Sequence, residues 1–124
     1  MKAGARETTA ADIDDFALGA VELNAAANDV TLVRHSRDLL DGRGSECWQT
    51  VLAGDIFYER DTAERALAYV SRQASLGATV LIGDPGRSYL PKDQLEKLIE
   101  YSVPVTRELE DNEIKRTAVW TLRV

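Results

Sequence analysis

The chain has 124 residues, of which 44% are hydrophobic and 29% are charged, as is typical of one globular domain with a buried core. The formal net charge of −6 argues against a nucleic-acid partner, because a surface that neutralises phosphates needs clustered lysine and arginine. The only cysteine, Cys47, excludes an internal disulfide, and neither a membrane-spanning run nor a signal-peptide core is found, so we expect a cytoplasmic protein.

The first predicted strand covers residues 7–12 and ends at Asp12. Asp14 or Asp15 can then cap a helix, because short acidic side chains accept hydrogen bonds from the first free amides of a helix. This helix carries an apolar stripe at helical spacing, which we expect to face the core. The stripe consists of Phe16, Ala20, Leu23 and Ala27. A second strand is predicted at residues 30–33, and residues 36–46 predict a polar loop or a frayed helical turn.

Two stretches in the middle of the chain have the composition of buried parallel strands. Residues 51–59 are VLAGDIFYE and residues 78–87 are ATVLIGDPGR, so each apolar run ends in Gly-Asp. Residues 63–75 predict a helix between them, which Gly77 ends. In α/β proteins, ligands bind just beyond the carboxyl ends of the strands. With Asp12, the acids Asp55 and Asp84 therefore predict a rim of carboxylates on one edge of a sheet.

The last third predicts a helix and then two strands. Pro91 suits the first position of a helix, whose buried face would be formed by Leu95, Leu98 and Ile99. Residues 103–109 and 117–124 are strand-like, and the charged residues 110–115 between them predict a hairpin turn. The element order as a whole predicts an α/β fold, mostly parallel, that closes with an antiparallel hairpin.

The sequence resembles the class I S-adenosylmethionine-dependent methyltransferases. The segment AADIDDFALGAVELNAAAND is similar to the second strand and following helix of that Rossmann-like fold. VLAGDIFYE followed by VLIGDPGRSYLP resembles the electron-transfer-flavoprotein β-subunit lysine methyltransferases and their bacterial homologues, the nicotinamide N-methyltransferase-like branch. The resemblance extends over residues 2–124 and implies that residues 1–124 form one methyltransferase-like domain, the C-terminal two-thirds of the family's domain.

The family's first strand, with its glycine-rich GxGxG-type turn, has no counterpart here, so the resemblance implies an N-terminally truncated sheet. In the family's strand order, the missing strand lies between the strand that ends at Asp12 and the strand that ends at Asp55. Three alternatives remain open: the natural start lies upstream or the chain is a fragment, the two flanking strands pair directly, or another chain, such as a second copy, fills the gap. We expect the chain alone to be poorly active at best.

The resemblance implies a cofactor site for S-adenosylmethionine at the first two strand ends. Asp12 would accept hydrogen bonds from the ribose hydroxyls, and Ile13 would pack on the adenine. Asp38, in the segment RDLLD, would accept from the adenine amino group, and Leu39 would line the same pocket. The alternatives are a helix-capping role for Asp12, a core position for Ile13 and a solvated loop acid at position 38.

The resemblance places the substrate site after the next two strands. Asp55 would orient or help deprotonate the target amine, and Tyr58 and Phe57 would form the walls of the pocket, where aromatic faces can hold an ammonium group. Both aromatics could instead belong to the core. Arg87 would hold an acidic substrate residue or be solvated. No metal site is expected, because His35 and Cys47 cannot assemble a ligand set.

The implied activity is methylation of protein lysine, with the electron-transfer-flavoprotein β-subunit or a ribosomal protein as substrate. A small-molecule N-methyltransferase is the second hypothesis, and a non-catalytic truncated interaction module is the third. A nucleic-acid methyltransferase is disfavoured, because Ile56 and Phe57 stand where the base-modifying enzymes usually carry prolines.

Overall fold

The computed structural model describes residues 1–104 and 114–123, and the chain divides into two compact units, Met1–Gly44 and Ser45–Val124. The first unit consists of strand β1 (Thr9–Ala11), helix α1 (Asp15–Ala27) and strand β2 (Val33–His35). β1 and β2 pair in parallel, so their carboxyl ends lie at the same edge of a two-stranded sheet. The first predicted strand and the first predicted helix are therefore confirmed.

Helix α1 begins where the sequence predicts a cap. The Asp14 side chain accepts a hydrogen bond from the amide of Phe16 at 2.9 Å, which satisfies one of the free amides of the first turn. At the other end, the Asn28 side chain donates to the carbonyl of Asn24 at 2.8 Å. These two polar side chains set the length of α1.

The prediction that the Phe16 stripe faces the core is wrong. Phe16 is 92% exposed and Leu23 is 74% exposed, whereas Leu18 is the buried residue of the helix. Val21 and Ala25 of α1 line a shared cavity with Ala10 of β1. The helix has apolar residues on both faces, so helical spacing alone does not decide which face packs on the strands.

The second unit contains a four-stranded sheet and one long helix. Its elements are strand β3 (Thr50–Gly54), helix α2 (Arg60–Ser75), strand β4 (Thr79–Asp84), strand β5 (Leu95–Pro104) and strand β6 (Ile114–Leu122). The strand order is β3-β4-β6-β5, with β3 parallel to β4 and β6 antiparallel to both of its neighbours. The predicted parallel strands and an antiparallel pair at the end of the chain are thereby confirmed, but the first strand of that pair, predicted at residues 103–109, is Leu95–Pro104 in the described part of the chain.

The helix predicted after Pro91 is wrong, because its apolar residues belong to strand β5. Only a short 3-10 turn, Lys92–Gln94, precedes the strand. Leu95 is fully buried opposite Leu122, and a register shift follows between Lys97 and Ile99. Pairing with β6 along the whole strand outweighs the helical spacing of three apolar residues. Residues 105–113 and 124, which include most of the predicted hairpin turn, lie outside the described residues.

The core of the second unit lies where one face of α2 packs near β4. The buried residues of α2 recur every three or four positions, as expected of a helix with one apolar face. They are Ala63, Ala66, Tyr69, Val70 and Gln73. After Leu76, Gly77 adopts a φ of +101°, which favours glycine and confirms the predicted end of the helix. None of the described helices has both the length and the apolar character that crossing a bilayer requires.

Candidate functional site

The carboxyl ends of β3 and β4 lie side by side in the second unit. Gly54 is paired with Gly83, and the amide of Asp55 donates to the carbonyl of Gly83 at 2.9 Å. The next residue of β4 is Asp84. The structure therefore brings Asp55 and Asp84 to one edge of this sheet, which is the usual position of ligands in α/β folds. Asp12, the third acid of the predicted rim, follows β1 of the separate two-stranded sheet.

Asp55 forms a two-pronged ion pair with Arg87. Arg87 Nε lies 2.7 Å from Asp55 Oδ1, and Arg87 Nη2 lies 2.7 Å from Asp55 Oδ2. Because the planar guanidinium matches the two carboxylate oxygens, this geometry fixes the carboxylate in direction as well as position. The hydrogen bonds from Arg87 lower the pKa of Asp55 below its ordinary value, against an opposing effect of burial and with help from the charges of Arg87 and Lys115. Asp55 is therefore ionised at neutral pH.

The backbone at Asp55 turns sharply after the strand. Its φ of +50° lies in the left-handed region, which aspartate tolerates better than most residues with a side chain. Phe57 is fully buried, while Tyr58 is 58% exposed. Phe57 thus anchors the segment in the core, as in the alternative considered from the sequence, and the Tyr58 side chain is presented to solvent.

Asp84 organises the turn that carries Arg87. It is 1% exposed, and its Oδ2 accepts from the amides of Gly86 at 2.6 Å and Arg87 at 2.8 Å. Gly86 has a φ of +103°, a conformation that side chains rarely adopt. The ion pair with Asp55 is not predicted from the sequence. Opposite charges just after two neighbouring parallel strands are compatible with it, but the position of Arg87 depends on the turn that Asp84 holds.

The four residues predicted to hold the cofactor lie in the first unit, after β1 and β2. Asp12 Oδ1 accepts from the amide of Asp14 at 2.9 Å, and the Asp12 amide donates to the carbonyl of His35 at 3.2 Å. Ile13 is 72% exposed, so it is not a core residue. Asp38 Oδ1 accepts from the amide of Leu40 at 2.9 Å and caps a 3-10 turn, Leu39–Asp41, which contains Leu39.

Neither His35 nor Cys47 belongs to a metal centre in the part of the chain that the structure describes, where no group of three or more potential ligands is found. His35 Nδ1 accepts from the amide of Arg37 at 3.2 Å. Cys47 is exposed, and its thiol lies 3.9 Å from the carbonyl of Ser45. Both side chains are thus occupied by local contacts with neighbouring backbone.

Known methyltransferases are similar to this chain in sequence and in fold. No family model matches the chain. It is 31% identical to the electron transfer flavoprotein beta subunit lysine methyltransferase of Xenopus laevis over 123 residues, which are 95% of this chain and 50% of that protein. The corresponding protein of Mus musculus is 31% identical over 126 residues, covering 94% and 48%. The chain therefore spans about half the length of the curated relatives it matches.

Among solved structures, the N-methyltransferase NodS of Bradyrhizobium japonicum, in complex with S-adenosyl-L-homocysteine, has a TM-score of 0.65 to this chain. The match covers 96% of this chain and 68% of that one at 11% identity, which establishes likeness of fold. The chain thus has a Rossmann-like methyltransferase fold. Its resemblance to the electron-transfer-flavoprotein β-subunit lysine methyltransferases is confirmed.

Proposed function

We propose that this chain is part of an S-adenosylmethionine-dependent methyltransferase that modifies lysine side chains of a protein. The observation that carries the proposal is the similarity to lysine methyltransferases across 95% of the chain. The geometry after β3 supports it, because an ionised Asp55 and an exposed Tyr58 follow a strand that ends where such folds bind their ligands. The single cysteine fits a cytoplasmic enzyme.

The residues after β1 and β2 fit the adenosine part of the cofactor. Asp12 presents an exposed carboxylate at a strand end, where it can accept hydrogen bonds from a pair of ribose hydroxyls. Ile13 next to it offers an exposed apolar side chain for the adenine face. Asp38 and Leu39 follow the neighbouring parallel strand and complete the proposed set. When bound, S-adenosylmethionine supplies a methyl group on a sulfonium.

The side chains after β3 are suited to binding and orienting the amine of the substrate lysine. A carboxylate whose pKa is lowered is a weak base at neutral pH, so we assign Asp55 the role of orienting the lysine amine through its N–H groups. Arg87 holds that carboxylate in place. Tyr58 offers an aromatic face to the positive charge that develops on the amine nitrogen. Phe57, which is fully buried, anchors in the core the segment that carries Tyr58.

The electron-transfer-flavoprotein β-subunit is the first substrate to test, because the relatives carry its name. The net charge of −6 suits a substrate whose lysine lies on a basic surface. A ribosomal protein with an exposed lysine has the same chemistry and is the second substrate to test.

Cofactor binding is tested by calorimetric titration of S-adenosylhomocysteine into the chain, with circular dichroism to confirm folding. We expect saturable binding that Asp12→Asn weakens roughly 10-fold or more, since a hydrogen bond to a charged group contributes about 1.5–3 kcal/mol. Asp15→Asn is the matched control, because it removes the same charge in the first turn of α1 and should bind as the wild type does. A folded chain that does not bind would contradict the proposal for this chain.

Catalysis is tested by transfer of a labelled methyl group to the purified β-subunit, located by mass spectrometry of its lysines. Relative to the wild-type chain, whose own activity we expect to be low, Asp55→Asn should lower kcat/KM about 100-fold, within the range typical of a positioned catalytic group. Tyr58→Leu, which removes the aromatic face, should raise KM or lower kcat, whereas Tyr89→Leu, at another exposed tyrosine of the same unit, should have no effect. Full activity in Asp55→Asn would remove this residue from the mechanism.

A further inference from the structure

Strand β5 forms one edge of the four-stranded sheet. In the part of the chain that the structure describes, β5 pairs with β6 alone, so its outer edge faces away from the sheet. Leu95 is buried at the start of the strand, and the residues that follow it, up to Pro104, are all exposed. An edge strand of this kind presents backbone N–H and C=O groups on its outer side, and these groups can pair with a further strand.

The features that usually protect an edge strand from such pairing lie at the two ends of β5. Proteins protect edges with bulges, charges and prolines. At the start of β5, the register shifts between Lys97 and Ile99, and Lys97 donates to Glu100 at 3.2 Å. At its end, Pro104 has no backbone N–H. The segment between these features, residues 99–103, is therefore the part of the edge that can accept a further strand.

Residues 99–103, with the sequence IEYSV, alternate between apolar and polar side chains. Successive side chains of a strand point to opposite faces, so Ile99, Tyr101 and Val103 share one face of the sheet. They are 47%, 52% and 46% exposed, respectively. Glu100 and Ser102 share the other face. The pattern is symmetric about its central residue, Tyr101.

This symmetry makes the segment complementary to a second copy of itself. A two-fold axis at Tyr101 would place Ile99 opposite Val103 of the second copy, and Glu100 opposite Ser102 of the second copy. Apolar side chains then face apolar ones, and no two like charges face each other, which is what stable cross-strand pairs require. Self-complementarity of one surface is also the condition for a two-fold symmetric interface.

We propose that two copies of this chain pair through their β5 edges, antiparallel about a two-fold axis at Tyr101, and form one continuous sheet. Three apolar side chains from each copy then lie side by side on one face, and the two Tyr101 rings meet across the axis. β5 and β3 are at opposite edges of the sheet, so the pairing leaves Asp55 outside the interface. The proposal does not depend on methyl transfer.

The mass of the chain in solution tests the proposal, measured by sedimentation velocity over a dilution series. Because a pairing of this length is a small interface, we expect a dimer at about 100 µM that dissociates below about 1 µM. Tyr101→Lys places two like charges opposite each other at the axis and should weaken the dimer about 10-fold or more. Tyr89→Lys, at an exposed tyrosine outside β5, is the matched control and should dimerise as the wild type does.

Disulfide cross-linking tests the register of the pairing, in a Cys47→Ser background because Cys47 is exposed. Directly opposed residues have Cβ atoms about 4.5–5.5 Å apart, close to the separation of roughly 3.5–4.5 Å in a disulfide. We expect Tyr101→Cys to form a covalent dimer under mild oxidation and Tyr89→Cys to stay monomeric. Ile99→Cys and Val103→Cys should each stay monomeric alone and should cross-link when the two variants are mixed.

Three results would each overturn the proposal. The first is a monomeric mass at about 100 µM. The second is a Tyr101→Cys variant that forms no covalent dimer. The third is a dimer that Tyr101→Lys does not weaken, because the copies would then be joined at another surface, such as the edge of β3. Circular dichroism checks folding, and if Tyr101→Lys does not fold, the wild-type mass and the cross-links decide. No cofactor or methyl acceptor is present, so a failure of the proposed function leaves these results readable.

Discussion

The two units differ in what they do with their apolar side chains. In the first unit, Leu18 is the only hydrophobic residue of residues 1–44 that is buried, and several large apolar side chains are exposed. They are Ile13, Phe16, Leu23 and Val33. The second unit buries Phe57, Val80, Ile82 and Leu95 among others. An apolar stripe therefore shows where burial is favourable, but burial itself needs a packed partner, which α2 and the four-stranded sheet provide for each other.

Substituting one phenylalanine in each unit tests this difference in burial and should give the largest effect on stability. Phe57→Ala removes a fully buried ring and should cost about 3–5 kcal/mol of unfolding free energy. Phe16→Ala, at a position that is 92% exposed, should stay within about 0.5 kcal/mol of the wild type. Urea denaturation followed by circular dichroism measures both. A cost above about 2 kcal/mol for Phe16→Ala would show that this ring is buried in solution.

The parts of the fold that the sequence predicts correctly are those with several agreeing signals. β3 and β4 combine a continuous apolar run with a Gly-Asp end, and α2 combines helical composition with Gly77. β5 was not predicted, because its apolar pattern is compatible with a helix as well as with a strand. Leu95, Leu98 and Ile99 have helical spacing, and pairing with β6 makes them part of a strand. Local pattern could not extend the predicted antiparallel pairing back to Leu95, because its partner Leu122 lies 27 residues later in the sequence.

The candidate site was also predictable only in part: the acids at the strand ends were predicted, but their partners were not. The rule that ligands gather after parallel strands located Asp55 and Asp84. It did not reveal the Asp55–Arg87 ion pair, because the position of Arg87 depends on the hydrogen bonds that the buried Asp84 makes to the turn. The pairing of Trp120 with Ile82 was also beyond prediction, since it requires β6 to lie between β4 and β5. Single residues at strand ends are thus readable from sequence, whereas their partners depend on strand order.

A smaller loss of unfolding free energy is expected on substituting Tyr69, whose hydroxyl group bonds to residues at the start of the second unit. Trp48 Nε1 donates to Tyr69 Oη at 2.8 Å, and Tyr69 Oη donates to Glu46 Oε1 at 3.3 Å, so these bonds tie the start of the unit to α2. Tyr69→Phe removes both bonds and should cost about 2 kcal/mol, since the usual net contribution of one hydrogen bond is about 1 kcal/mol. Tyr101→Phe, at a tyrosine that is 52% exposed, is the control and should cost little.

The cost of Tyr69→Phe should depend on pH. Burial is the main cause that raises the pKa of Tyr69 above its ordinary value of 10.0, so the folded chain holds this proton to higher pH than the unfolded chain does. The resulting stabilisation is complete below pH 10 and is lost as pH rises through the raised pKa. Urea titrations at pH 8 and pH 11 should therefore show a smaller difference between wild type and Tyr69→Phe at the higher pH. A constant difference would contradict this account.

The smallest expected effect on stability is the difference in coupling energy between two ion pairs, one from each unit. Asp55–Arg87 makes two contacts of 2.7 Å, and Glu22–Arg34 makes one of 2.9 Å, with all four side chains roughly half exposed. Exposed pairs contribute about 0.2–1 kcal/mol, and we expect the two-pronged pair at the upper end and the single contact at the lower end. Double-mutant cycles with the Asn or Gln variant of each acid and the Gln variant of each arginine measure both coupling energies.

The coupling energy of the Asp55–Arg87 pair should be lost at low pH, over a range set by the pKa of Asp55. Because Arg87 lowers the pKa of Asp55 below 3.8, the pair stabilises the folded chain above that pH and loses its contribution as pH falls through the lowered pKa. The Asp55–Arg87 coupling should therefore be unchanged between pH 7 and pH 5 and decline below pH 4. Equal coupling energies for the two pairs at pH 7 would mean that the second hydrogen bond adds nothing to stability. Its function would then be to orient the carboxylate, which Arg87→Lys tests by keeping the charge and losing the fork.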